Sequence, residues 1–319
     1  MMEKDNSDIL VSVVCFAYNH ELYIKDALEG FVSQETSFRY QVIVHDDAST
    51  DKTADIIREY ALKYPDIIKP IFQTINQHSI NGGILTNYIF PKLKGKYVAI
   101  CEGDDYWIDK RKLEKQFLFL ESHPDYSLVV CSVKTYDCHT GRFDNRFVTK
   151  TDRIISMEDL LFEKDGRIFQ TSGAFMPLNI YVDRKDWQKV FPYGDRPLWM
   201  RAALDGKIFM MKDVMSVYRF CSPGSWTLKV SDDKEFKTII CKKVISGMEA
   251  FDASTNCQFH DLVERSINSI YYSLAIINRD WKKIKQEFYS FYKKEKIMNR
   301  IIIKLRCKYY RFYRFIRKN

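Results

Sequence analysis

Directly after the apolar run Tyr97-Val98-Ala99-Ile100-Cys101 come Glu102, Asp104 and Asp105, three carboxylates within four residues. Like charges this close repel unless water or a cation separates them, so the cluster costs stability if it is left dry and unpaired. Hard oxygen donors of this kind suit Mg²⁺ or Mn²⁺, ions that keep several waters and bridge a protein carboxylate to a substrate's phosphates. A second acidic pair, Asp46-Asp47, follows the run Gln41 to His45, and Tyr18-Asn19 follows Leu10 to Phe16. Together they fit a phosphorylated ligand bound with a divalent metal. Taken singly, each has a structural alternative: Asp46-Asp47 as a capped turn, and Glu102 to Asp105 as a solvated loop that caps a helix.

What positions these residues is an alternation of short β-rich runs with helical spacing. After Leu10 to Phe16, apolar residues recur at Ile24, Ala27, Leu28, Phe31 and Val32. The run Gln41 to His45 is followed by Ala54, Ile57, Tyr60, Ala61 and Tyr64 at helical spacing, with Asp51 or Ser49 as the cap. A third run, Ile67 to Phe72, leads through Asn81-Gly82-Gly83 to a helix expected from Ile84 and then the strand Tyr97 to Cys101. Strands alternating with helices imply a mainly parallel sheet flanked by helices, a Rossmann-like α/β arrangement whose ligands bind beyond the carboxyl ends of the strands. Tyr18-Asn19, Asp46-Asp47 and Glu102 to Asp105 all lie there. No G-x-G-x-x-G or G-x-x-x-x-G-K-[ST] follows a strand, so neither the dinucleotide fingerprint nor the P-loop accounts for the site.

Beyond Asp144 the alternation weakens. Thr171 to Met176 reads as a further strand, Gly194-Asp195-Arg196-Pro197 opens a helix through Ala203 that Gly206 terminates, and Tyr218-Arg219-Phe220 precedes a Pro-Gly loop. From about Asp232 onward the chain reads as helix.

At 319 residues, 46% hydrophobic and 15% aromatic, the chain is ample for a globular core. The polar, acidic start and the lack of any apolar run of roughly 18 residues predict a cytoplasmic protein. The eight cysteines show no C-x-x-C pair and the six histidines no ligand spacing, so neither a disulfide framework nor a cysteine- or histidine-based metal site is expected.

Four segments, "VSVVCFAYN", "QVIVHDDASTDKT", "LKGKYVAICEGDDYW" and "GDRPLWMRAALDGKIFMMKDVMSVYR", resemble in order and separation those of family 2 glycosyltransferases, inverting enzymes with the GT-A fold. The resemblance spans about Ile9 to Trp226. It implies a GT-A catalytic domain over 1–230, with a nucleotide-sugar-binding part at about 9–106 and an acceptor part at about 107–230, followed by a helical C-terminal region over 231–319. It also implies roles. Tyr18 would stack on the nucleotide base and Asp47 accept a hydrogen bond from it. Glu102-Gly103-Asp104 resembles the D-x-D motif: Asp104 would bind the Mn²⁺ or Mg²⁺ and the diphosphate, and Glu102 would face the ribose or a metal-bound water. Asp105 is the alternative metal ligand. Asp195 matches the catalytic base, with a helix cap as its structural alternative. The chain departs from the family pattern where Glu102 replaces the usual aspartate, where Phe16-Ala17 replaces Pro-Thr, and where Cys221 replaces a histidine after Tyr-Arg, for which Arg219 is a partial substitute. Trp107, Tyr106, Trp199 and Met200 read as packing, and Ser172-Gly173 as a border of the acceptor pocket.

The function implied is transfer of a sugar from a nucleotide-sugar donor, a UDP-sugar, to a hydroxyl of a glycan or lipid-linked glycan acceptor in cell-surface polysaccharide synthesis. Two rivals share parts of this pattern: a nucleotidyltransferase acting on sugar phosphates, and a non-catalytic nucleotide-sugar- or glycan-binding protein.

The net charge of +8 is uneven. Fifteen Lys/Arg and three acids between Arg279 and Asn319 give that tail +12 and leave −4 for the rest. Within it Ile302, Leu305, Tyr309, Phe312 and Ile316 recur at helical spacing among Lys304, Lys308, Arg311, Arg317 and Lys318. Such a helix has two fates, on an anionic membrane surface at the inner face, where each basic residue is worth on the order of 1 kcal/mol, or packed on the catalytic domain. No nucleic acid is expected as a partner, because no recognised motif accompanies the charge.

Overall fold

Val11, Val13, Val14 and Cys15 leave β1 (Ile9–Ala17) apolar on both faces, the pattern of a strand covered on both sides. The computed structural model describes residues 8–80, 82–162, 168–222 and 233–308. Helix α1 (Ile24–Val32) buries Ile24, Ala27, Leu28 and Phe31, an i, i+3, i+4, i+7 stripe, against β1 and its neighbours. The unit repeats as β2 (Arg39–Asp46), α2 (Thr53–Lys63), β3 (Ile68–Phe72) and, after a short wide turn at Leu85–Ile89 and a 3₁₀ turn at Phe90–Lys92, β4 (Tyr97–Ile100). The helix expected from Ile84 forms as one wide turn followed by a 3₁₀ turn, with Pro91 in the opening positions of the second.

The next elements are β5 (Tyr106–Trp107), α3 (Lys112–Ser122), β6 (Tyr126–Asp137), β7 (Arg142–Phe147), β8 (Arg153–Ile155), α4 (Met157–Leu161), β9 (Ala174–Pro177), α5 (Leu178–Val182), α6 (Asp195–Asp205) and β10 (Lys207–Phe220). Among the described residues ten strands form one mixed sheet in the order β3-β2-β1-β4-β9-β6-β10-β5, with β7 on β6 and β8 on β10. The parallel reading holds for β3, β2, β1 and β4. Strand β9 then pairs antiparallel with both β4 and β6, and β10 is parallel to β6. Two reversals cancel, so β6 and β10 point the same way as β1 and β4. Pairing Ala17 with Asp46 and Val14 with Ile100 levels the carboxyl ends of the strands that precede the three polar clusters. Gly206 ends α6 by close approach: a Cβ there would lie 3.0 Å from the Asp125 carbonyl.

The chain forms two compact units. One comprises residues 1–184 and 195–225, the other 185–194 and 226–319. In the second unit lie α7 (Lys234–Ser254), α8 (His260–Ile277), α9 (Trp281–Gln286), α10 (Tyr289–Lys294) and α11 (Ile297–Lys308). Tyr272, Ile284, Phe288 and Ile303 form a small core there. Among the described residues no helix is long and apolar enough to cross a membrane. Asn81, Trp226, the Pro223-Gly224 loop and the stripe residues Tyr309, Phe312 and Ile316, with Arg311, Arg317 and Lys318, lie outside the described residues.

One buried charge stands out in the first unit. The Lys112 amine, wholly buried at the start of α3, donates to Gln116 Oε1 at 2.7 Å and sits 4.3 Å above the Trp107 ring. Burial lowers its pKa below the ordinary lysine value. Between the lowered folded value and the ordinary unfolded one, the unfolded chain holds the extra proton, so this group makes stability rise with pH across that alkaline window. Lys112→Met is expected to flatten the rise in urea denaturation run from neutral to alkaline pH. An unchanged slope would assign it to other groups.

Candidate active site

The loops after β1 and β2 are stitched to each other by the polar residues that follow each strand. The Asn19 N–H donates to Ser49 Oγ at 2.9 Å, and Asn19 Oδ1 accepts the Thr50 N–H at 2.8 Å. His20 N–H donates to Thr53 Oγ1 at 2.7 Å, Glu21 N–H to Asp51 Oδ2 at 3.0 Å, and Lys52 N–H to Glu21 Oε2 at 3.0 Å. Asp51 also receives the Thr53 N–H at the start of α2, while Ser49, the other expected cap, is used as a crosslink instead. Asn19 and Ala48 both take left-handed backbone conformations, φ 55° and 61°, as does Cys221 at the end of β10, φ 60°. For Ala48 and Cys221 this conformation is costly, and strain of this kind gathers at functional sites.

Against this pair of loops the turn after β4 makes a close contact. Gly103 donates its N–H to the Phe16 carbonyl at 2.8 Å, and a Cβ on it would lie 2.8 Å from Ile24 Cδ1 and 3.0 Å from His20 Nδ1. Any side chain here would crowd Ile24 and His20, so glycine suits the close approach of the acidic turn to β1. His20 Nδ1 is buried without a hydrogen-bond partner among the described residues. Burial lowers its pKa against the opposing pull of Asp104, Asp51 and Asp46.

The six predicted site residues have different surroundings. Tyr18 is 45% exposed at the lip of the β1 loop. Asp47 is only 5% exposed: its Oδ1 accepts the Gln77 N–H at 2.7 Å and its Oδ2 the His78 N–H at 3.0 Å, so it organises the loop after β3, and each oxygen keeps one lone pair for a further donor. Glu102 is half-buried. Asp104 accepts from Ser222 Oγ through Oδ2 at 2.8 Å, and its Oδ1 has no partner among the described residues. Asp105 is buried and accepts the Arg219 N–H through Oδ1 at 2.9 Å; burial, with Asp104 and Glu102 beside it, pushes its carboxyl well above the usual range. Asp195, half-buried at the first position of α6, accepts the Arg196 N–H at 2.9 Å, and Arg196 in turn donates to the Leu160 and Leu161 carbonyls at the end of α4. No hydrogen bond among the described residues joins Asp195 to the acidic turn.

From sequence, Arg219 is only a partial substitute for a histidine. In the structure its side chain, 8% exposed, donates from Nη1 to the Asp104 carbonyl at 2.8 Å, pairs through Nη2 with Asp26 of α1, and lies 4.4 Å from the Tyr106 ring centre and 5.1 Å from that of Tyr23. Arg219 and Ser222 thus hold the acidic turn from the end of β10, more than 110 residues away in sequence. Trp107 is buried with its indole N–H on the Ser172 carbonyl at 2.9 Å, and Ser172, Gly173, Trp199 and Met200 are buried too.

Residues 12–187, more than half of the chain, match the profile described as "Glycosyl transferase family 2". The chain belongs to this family. An uncharacterized protein of Mycobacterium tuberculosis (strain ATCC 25618 / H37Rv) is 34% identical to this family 2 chain over 233 residues, 71% of the chain and 63% of the relative. The chain therefore spans about 63% of the length of that relative. The minor teichoic acid biosynthesis protein GgaB of Bacillus subtilis (strain 168) is 28% identical over 151 residues, 46% of the chain and 16% of GgaB. Among solved structures, S. aureus TarS 1-349 in complex with UDP-GlcNAc superposes with a TM-score of 0.58 at 17% identity, covering 94% of this chain and 79% of TarS. The family 2 chain has the GT-A fold with a C-terminal helical region.

Proposed function

We propose that the protein transfers a sugar from a nucleoside diphosphate donor, a UDP-sugar, to a hydroxyl of a glycan or lipid-linked glycan acceptor in the synthesis of a cell-wall or cell-surface polysaccharide. The observation that carries this reading is the contact of the Gly103 turn with β1, which brings the Asp104 carboxylate beside the loops that carry Tyr18 and Asp47. Family membership and the likeness to a teichoic acid biosynthesis protein support it.

In this reading the exposed Tyr18 ring stacks on the base, and the spare lone pairs of Asp47 accept from the base edge. The donors at the acidic turn are all oxygen, and Asp104 Oδ1 is without a partner among the described residues, which fits Mn²⁺ or Mg²⁺. Asp104 would hold such an ion, and Glu102 would face a water on it or the ribose. Asp105, spent on the Arg219 N–H, anchors the turn from below rather than serving as a second ligand. A bound ion would supply charge stabilisation for the departing diphosphate. Asp195 takes the proton of the acceptor hydroxyl as that oxygen attacks the anomeric carbon, and a single displacement inverts the centre. Helix α6, which begins at Asp195, packs on β6 and β10 and is joined to β10 through Gly206 alone.

On α11, Ile297, Met298, Ile301 and Ile302 are exposed beside the basic residues Lys304, Arg306 and Lys308, which supports attachment of this segment to an anionic membrane surface.

Titration calorimetry with UDP tests the donor site. Binding is expected to strengthen with Mn²⁺ or Mg²⁺ in the native protein and to lose that dependence in Asp104→Ala. Equal affinity with metal and with chelator in the native protein would remove the metal from the reading.

A further inference from the structure

The turn between α7 and α8 brings together three residues with different donor atoms. Asp252 lies in the last turns of α7, Cys257 in the turn, and His260 opens α8. One ligand atom from each, a carboxylate oxygen, Sγ and an imidazole nitrogen, lies within 4.8 Å of the other two. The backbone makes this possible: Asn256 and Cys257 both adopt left-handed conformations, φ 50° and 61°, Cys257 N–H returns to the Asp252 carbonyl at 3.0 Å, and His260 N–H donates to the Cys257 carbonyl at 3.2 Å.

A plain helix-capping ion pair accounts for only part of this. His260 Nδ1 lies 2.7 Å from Asp252 Oδ2, but Asp252 is only 8% exposed and its other oxygen, Oδ1, is buried with no hydrogen-bond partner among the described residues. A buried carboxylate oxygen left in this state is costly, and a cation removes the cost. Glu249, one helical turn before Asp252, and Glu264, one turn after His260, border the same pocket and offer a further oxygen. Cys257 and His260 are exposed, so an ion reaches them from solvent.

We propose that Asp252, Cys257 and His260 form a divalent-cation site, suited to Zn²⁺, that clips the end of α7 to the start of α8. A mixed sulfur, nitrogen and oxygen set selects a borderline ion over Mg²⁺ or Mn²⁺, which favour oxygen alone. Tetrahedral zinc places its ligand atoms roughly 3.3–3.8 Å apart, so the Nδ1–Oδ2 pair, 2.7 Å apart, opens and the wider spacings, within 4.8 Å, close by about 1 Å. Binding displaces to solvent the thiol proton of Cys257 and the Nδ1 proton that His260 donates to Asp252, so the ring engages through Nδ1 as the neutral tautomer with its proton on Nε2. This site is separate from the acidic turn of the first unit.

The experiment uses the full chain, reduced, stripped with chelator, and carrying Asp104→Asn so that the acidic turn does not compete. Titration with Co²⁺ reads the thiolate-to-metal charge-transfer absorption, which an all-oxygen site lacks. The expected result is a thiolate band that saturates at a single equivalent, is displaced by Zn²⁺, and disappears in Cys257→Ser and in His260→Ala, while Zn²⁺ raises the thermal midpoint of the parent only. Both side chains are exposed, so the substitutions leave the packing of α7 and α8 in place, which circular dichroism checks. No thiolate band, or one of equal strength in Cys257→Ser, overturns the proposal and leaves an Asp252–His260 ion pair.

Discussion

Asp195→Asn is expected to lower sugar transfer by about 10²–10⁴-fold, the usual worth of a general base, while UDP affinity stays as in the native protein. Asparagine keeps the size of the side chain, and its amide oxygen still accepts the Arg196 N–H that Asp195 Oδ1 receives at 2.9 Å. The first turn of α6 should therefore form as before, still braced by Arg196 on the carbonyls of Leu160 and Leu161. What is lost is the carboxylate proposed to take up the acceptor's proton. Steady-state transfer to a glycan acceptor, set beside calorimetry with UDP, separates the two effects. A folded Asp195→Asn protein that transfers at the native rate would show that the carboxylate only shapes the helix start.

Arg219→Ala is expected to cost stability and donor binding together. The substitution removes the bond to the Asp104 carbonyl, the ion pair with Asp26 and the packing against Tyr106 and Tyr23, in a place where the arginine is almost fully buried. Hydrogen bonds of charged groups contribute about 1.5–3 kcal/mol each. The Asp26 carboxylate is 53% exposed, which screens its share, so the total expected is about 3 kcal/mol in urea denaturation. With the clamp gone the acidic turn loses its fixed position, and UDP with Mn²⁺ should bind more weakly even after correction for the folded fraction. Lysine restores the charge but not the planar fork, so Arg219→Lys should recover little of the binding. Asp26→Asn should have the smaller effect. Native-like UDP binding by folded Arg219→Ala would remove Arg219 from the positioning of the turn.

Much of the first half of the chain is legible without coordinates, because its signals are local. The runs ending at Ala17, Asp46 and Ile100 alternate with apolar stripes at helical spacing, and the acidic clusters fall at the strand ends, where an open parallel sheet forms its ligand crevice. Turn chemistry is less legible. Ser49 and Asp51 read as equivalent caps, yet Lys52 holds the cap position without a side-chain cap bond; Asp51, just before it, accepts the Thr53 N–H, and Ser49 is held by a loop 30 residues earlier. Asp105 looked interchangeable with Asp104 as a ligand, yet the two face different surroundings, one buried beneath the turn and one held at its rim by Ser222.

The sequence by itself determined the family, the order of the first strands and helices, and which side chains lie past the strand ends, because periodicity and residue type act over a few residues at a time. Tertiary structure alone decided the antiparallel insertion of β9, the reach of Arg219 and Ser222 across more than 110 residues to the acidic turn, and the meeting of Asp252, Cys257 and His260 around two left-handed residues. Each of these depends on strand register, or on a backbone conformation that residue type disfavours. Contacts elsewhere in the fold impose that register and that conformation, and neither leaves a periodic trace in the chain.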